Sequence, residues 1–150
     1  MENERQLTNE DFAKLVEIRN AQHGFPNHLG IRVLEITKGC ARAEMDLERP
    51  EFMNATGNTV HGGVIYSLAD SVTGAAAWSS GHFAATASSE IHYINAAMHS
   101  KKLIGIARAI KFGKRLFVFD AEIRDDQDLL IAKGLFSYMP LPRLILDAPQ

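Results

Sequence analysis

The sequence predicts an α+β domain in which one long helix is enclosed by an antiparallel sheet, and three patterns carry that prediction. Between His61 and Gly81 the residues Val64, Ile65, Leu68, Ala69, Val72, Ala75, Ala76, Ala77 and Trp78 cover nearly every direction of a helix. Such a helix needs neighbours all round. Strand patterns then follow one another at 84–94, 101–112, 115–124 and 129–139. In the third of these, Phe117, Phe119, Ala121 and Ile123 alternate with Val118, Asp120, Glu122 and Arg124, the pattern of a strand with one buried face in an antiparallel sheet.

The elements before the long helix read in order. Thr8 and, three residues later, Asp11 form a capping-box pattern, and Phe12, Leu15 and Val16 recur at helical spacing. This predicts a helix over about 8–23, closed by Gly24 and Pro26. From Leu29 the period falls toward two. Ile31 and Val33 share one face, then Ala41, Ala43, Met45 and Leu47 alternate with Arg42, Glu44 and Asp46, giving two strands that turn at Lys38 and Gly39. Pro50, Asn54, Gly57 and Asn58 make 48–59 a loop, and 125–128, three aspartates and a glutamine, reads as a hairpin turn. Pro140, Leu141 and Pro142 predict a tail that leaves the sheet. No repeat or linker divides the 150 residues, so one domain over 1–150 is expected, with its core over about 29–141.

Composition narrows the partners. With 46% hydrophobic and 23% charged residues the chain has ordinary globular composition, and at this length it can bury about 68–70% of its unfolded surface. A net charge of -2 gives no long-range attraction to nucleic acid or to an anionic membrane. The single Cys40 can close no intrachain disulfide and has no partner for a zinc pair, which suits a reducing cytosol. Residues 1–5 lack the basic start and apolar run of a secretory signal. His61, Ser67, Asp70, Ser71 and Thr73 interrupt the apolar stretch 60–78 and speak against a membrane span. A cytoplasmic protein with neither nucleic acid nor membrane as partner is expected.

Two features of the long helix carry chemistry. Gly62 and Gly63 at its start leave backbone N–H groups open at the positive end of the helix dipole, where an oxyanion or a phosphate could be held. Asp70, two turns on, is a carboxylate in a mostly apolar helix, so it must be paired, hydrated or kept for function. Each has a plainer reading as well. A glycine pair serves close packing, and neighbouring hydroxyls such as Ser67 or Thr73 could satisfy a buried Asp.

Thr59-Val60-His61-Gly62-Gly63 followed by Leu68-Ala69-Asp70 resembles the signature of the hotdog-fold acyl-CoA thioesterases of the phenylacetate-degradation type. The resemblance covers roughly 30–141. It implies a long central helix wrapped by a curved antiparallel β-sheet, here with an extra N-terminal helix, and an acyl-CoA or acyl-carrier-protein thioester as substrate. It further implies that Asp70 is the catalytic carboxylate, that the Gly63 N–H, with Gly62, polarises the thioester carbonyl, and that His61 hydrogen-bonds near the thioester. Asn54 would place water or the leaving thiol. One additional residue separates it from His61 here, which makes Asn58 a competing candidate. On the strand after the helix, Thr86 or, second, Ser88 would hold the attacking water.

No metal or redox cofactor is required, because a thiol leaves readily once a carboxylate activates water or attacks directly. Gly63 and Asp70 lie seven residues apart on one helix, about 10 Å along its axis. One carbonyl is too small for that span, so a dimer, or a dimer of dimers, with sites shared between copies is expected. The resemblance implies the same.

Lys111, Lys114 and Arg115 around Gly113, together with Arg108, are candidates for the phosphates of coenzyme A, or form a solvated hairpin tip. Glu90 and His92 are too few for a metal site, and Trp78, Phe83 and Phe112 suit a core or a pocket wall. Two rival readings stand beside hydrolysis: a hotdog-type acyl-thioester dehydratase or hydratase, and a non-catalytic acyl-CoA-binding protein. The second is disfavoured by the absence of a basic recognition surface before Leu29. The identity of the acyl group stays open.

Overall fold

A computed structural model describes residues 5–147; residues 1–4, part of the segment read for a signal, and 148–150 lie outside the described residues. The order is α1 (Asn9–Ala21), α2 (Phe25–His28), β1 (Arg32–Thr37), β2 (Cys40–Asp46), α3 (Gly62–Trp78), β3 (His82–Tyr93), β4 (Lys102–Phe112), β5 (Phe117–Asp125) and β6 (Leu130–Leu144), with a 3-10 turn at Pro50–Phe52. The strands form one sheet in the order β1-β2-β4-β5-β6-β3, every pairing antiparallel.

Helix α3 contacts all six strands. Six strands at about 4.8 Å spacing span roughly 24 Å, twice the width of a helix, so the sheet must curve around α3 to reach it from both sides. The composition of α3 permits this. Ala69, Ala75, Ala76 and Ala77 are fully buried, and such small side chains let the strands close in. Facing them are the inward rows of the sheet, with Phe119, Phe136, Leu103 and Ile123 among the largest buried side chains. Each contributes about 1.5–3 kcal/mol by leaving water.

The capping box of α1 is formed: Asp11 N–H donates to Thr8 Oγ1 and Thr8 N–H to Asp11 Oδ2. Leu15 is fully buried, while Phe12 and Val16 pack half-buried against the core. After α1 ends at Ala21 the chain does not stay irregular. Pro26 stands in the first turn of α2, where its missing N–H has no intrahelical partner to lose.

The two sheet edges differ. Asn20 on α1 clasps the β1 edge, its Nδ2 donating to Val33 O at 2.8 Å and its Oδ1 accepting from Val33 N–H at 2.9 Å. Strand β3 pairs only with β6 and leaves the other side of its 12 residues without a strand.

The expectation that 140–142 leaves the sheet is corrected. Strand β6 continues to Leu144, pairing Pro140 with Ala84 and Leu144 with His82. The reason is that β5 pairing ends at Phe117 opposite Tyr138. Beyond Tyr138 one side of β6 is open, and a proline without N–H facing an open edge breaks no ladder bond. Among the described residues no helix is long and apolar enough to cross a membrane.

Candidate active site

The start of α3 is built by its own loop. Asn54 N–H donates to Thr59 O at 2.8 Å and Asn54 Nδ2 to Thr59 Oγ1 at 2.5 Å, closing the turn that carries the exposed Asn58. His61, the N-cap, is held by its N–H to Phe52 O at 2.8 Å. Its Nδ1 accepts from Gly63 N–H at 2.9 Å. One of the two expected oxyanion donors is thus capped by the expected histidine. The Gly62 N–H, by contrast, makes no hydrogen bond among the described residues, as the first orphan donor of a helix should.

Two turns along, half-buried Asp70 is fixed through one oxygen. Oδ1 accepts from Thr86 Oγ1 at 3.0 Å and from Tyr138 Oη at 2.7 Å. Oδ2 accepts no hydrogen bond among the described residues. The neighbours that composition offered do other work: Ser67 Oγ donates to Gly63 O and Thr73 Oγ1 to Ala69 O. Tyr138 Oη also lies 2.7 Å from Asp70 O and 2.9 Å from Thr73 Oγ1. Its single proton favours the charged acceptor, Oδ1. Burial, and then the Asp70 charge, push the Tyr138 phenol well above its ordinary value, so it stays a neutral donor at working pH.

Hydroxyl bridges tie α3 to β3 at three levels. Tyr93 Oη donates to Gly62 O at 2.9 Å, Tyr66 Oη and Ser89 Oγ lie 2.5 Å apart, and Thr86 meets Asp70. Positions 62, 66 and 70 recur every four residues, so these rungs and the Gly62–Gly63 start share one side of α3. The choice between Thr86 and Ser88 is a matter of sheet face. A bulge separates them, Thr86 pairs with inward Tyr138, and Ser88 pairs with Ser137, which alternates to the outer face. Tyr138 was not singled out in the sequence. Its alternation with Phe136 on a buried face was the available signal, because a buried phenol needs a partner.

The basic residues do not converge on Asp70 within one chain. Arg108 is exposed opposite Asp120, on the outer face of the sheet. Lys111, Lys114 and Arg115 are exposed at the β4–β5 turn, where Gly113 N–H donates to Leu116 O. That turn does stand at the Asp70 end of the sheet, since Phe112, Phe117, Tyr138 and Thr86 form one row of register partners across β4, β5, β6 and β3. Glu90 and His92 bond each other on exposed positions, Trp78 is core, and Phe83 and Phe112 are half-buried against it.

An α3 start with an open N–H and a half-buried carboxylate with one free oxygen are thus the two polar features on this side of the helix. The chain belongs to the thioesterase superfamily, whose family model matches residues 57–132. It is 35% identical over 104 residues to an Archaeoglobus fulgidus protein named as a candidate esterase, covering 69% of this chain and 66% of that one. The chain therefore spans just under two thirds of that relative's length. Its structure resembles that of the Escherichia coli PaaI protein from the phenylacetic acid degradation operon, with a TM-score of 0.75, 25% identity and coverage of 80% of this chain and 86% of that one. A conserved Pseudomonas aeruginosa protein gives 0.74, with 26% identity and coverage of 83% and 98%. The fold is that of the hotdog thioesterases.

Proposed function

We propose that the protein hydrolyses an acyl-CoA thioester, or the equivalent acyl-carrier-protein thioester, to the free acid and thiol, in sites shared between two copies of the chain. The observation that carries this reading is Asp70: Oδ1 is held by Tyr138 and Thr86 while Oδ2 stays open. A carboxylate so oriented can take a proton from water as the water attacks the thioester carbon. The carbonyl oxygen gains negative charge and is met by the open Gly62 N–H, joined by Gly63 N–H once the His61 ring turns away from it. Collapse of the tetrahedral intermediate expels the thiolate, a good leaving group because its thiol is a fairly strong acid, and the proton held by Asp70 passes to it to give the free thiol. Direct attack by Oδ2, giving an anhydride that water then opens, uses the same parts. Asn54, tied into its loop, serves by fixing the approach to His61.

The shared site is supported by the two edges of the sheet. Asn20 closes β1, whereas the long exposed β3 edge offers unpaired backbone groups to a second copy. Twofold pairing there sets the two α3 helices side by side and brings the start of one toward Asp70 of the other.

The test is a thiol-release assay over aryl, branched, medium-chain and hydroxylated acyl-CoAs. Turnover of at least one member by purified protein is the expected result, and no release from any CoA or carrier-protein thioester would end the proposal. For the coenzyme, Lys114 and Arg115 are proposed phosphate contacts. Replacing both with Ala is expected to raise KM on the order of tenfold at low salt with kcat nearly unchanged, because phosphate contacts bind ground and transition states alike. An unchanged KM would return them to a solvated turn.

A further inference from the structure

A cation reaches the Asp70 network from outside the matched span. Arg19, near the end of α1, lays its guanidinium 4.7 Å over the Trp78 ring. Its Nη2 donates to Ser71 O at 3.4 Å. It approaches α3 at Gly74, where a Cβ would stand 3.1 Å from Arg19 Nη2 and 3.5 Å from Tyr138 Oη. The guanidinium and the phenol oxygen that holds Asp70 therefore share the notch left by one missing side chain.

Arg19 makes no contact ion pair among the described residues. Enclosing an unpaired guanidinium is unfavourable, and a Met or Leu would fill the same space without that cost. Burial lowers the Arg19 guanidinium from its ordinary value, and the charges of Tyr138 and Asp70 act against that lowering. The guanidinium is thereby placed beside the phenol oxygen that bonds Asp70 Oδ1 at 2.7 Å, where a positive charge attracts a negative one.

We propose that Arg19 is a positioning residue of the active site, a half-buried cation from α1 that holds Asp70 as a carboxylate and thereby directs the Tyr138 proton to Oδ1. The inference rests on the reading of Asp70 as the catalytic carboxylate. The ionisable groups facing Asp70 are Tyr138 from β6 and Arg19 from α1; β3 brings the neutral Thr86 and α3 the neutral Thr73.

The experiment is a carbon-13 NMR titration of the Asp70 carboxyl, assigned against Asp70→Asn, together with the pH profile of kcat/KM, in wild type, Arg19→Met and Arg19→Lys. Arg19→Met is expected to move both the titration midpoint and the acidic limb to higher pH by at least about half a unit, and Arg19→Lys to restore most of the shift. A purely structural Arg19 would lower Tm and leave the midpoint in place, and that result overturns the proposal. If Arg19→Met does not fold, Arg19→Gln, which keeps donors toward Ser71 O, carries the same expectation and the same refutation. The NMR midpoint reports the field of Arg19 whether or not Asp70 is catalytic, so a fully active Asp70→Asn would sink the functional reading separately.

Discussion

Asp70→Asn is expected to lower kcat by at least ~10²-fold while leaving KM nearly unchanged. The substitution preserves size, and its amide oxygen can still accept from Thr86 and Tyr138, the two bonds that orient the native side chain. What is lost is the open carboxylate oxygen Oδ2, the atom proposed to take a proton from water or to attack the thioester. A neutral Tyr138, held above its ordinary value by burial and by the Asp70 charge, cannot replace it as a base. Thermal melting and KM should therefore stay close to wild type while turnover collapses. Near-wild-type turnover would move the chemistry elsewhere. Label in the Asp70 carboxyl after single turnover of the wild-type protein in labelled water indicates direct attack followed by opening of the anhydride at the Asp70 carbon, an outcome the general-base route does not give.

What could be read from the sequence was what neighbouring residues determine. The all-round apolar helix, the alternation in β5 and the Thr8–Asp11 box are local patterns, and each forms the expected element. The motif at 59–70 is also local, so His61, Gly62, Gly63 and Asp70 could be named together. The misread tail at 140–142 has the opposite origin. Whether a proline ends a strand depends on what lies beside it, and the register of β5 against β6 cannot be seen in β6 alone.

Residue counting placed Thr86 ahead of Ser88, but it could not see the reason for that order. A bulge inverts the facing of the strand between them, and only Thr86 meets Asp70. The two groups missed altogether come from far along the chain. Tyr138 is 68 residues from Asp70, and Arg19 reaches Ser71 across 52. Folding gathers them on α3, and the notch at Gly74 that admits both gives no signal in a sequence rich in small residues.

Asp70 of one copy and the α3 start of the other are proposed to cooperate across a twofold interface. Gly63→Pro removes the N–H in the first helical turn, where no intrahelical bond is lost, at the cost of turning the His61 ring from its 3.0 Å approach to the new Cβ, and should itself lower kcat by about 10²–10³-fold as the loss of an oxyanion donor. Asp70→Asn and Gly63→Pro chains are then mixed and allowed to exchange, and thiol release is measured. In a shared site, each heterodimer joins the intact Gly63 of one chain to the intact Asp70 of the other and holds one good site. With random exchange of equal amounts, half the dimers are mixed, and about a quarter of wild-type activity per chain should return from two nearly inactive parents. If mass spectrometry shows exchange and no activity returns, or if sedimentation finds a fully active monomer, the shared-site account is wrong.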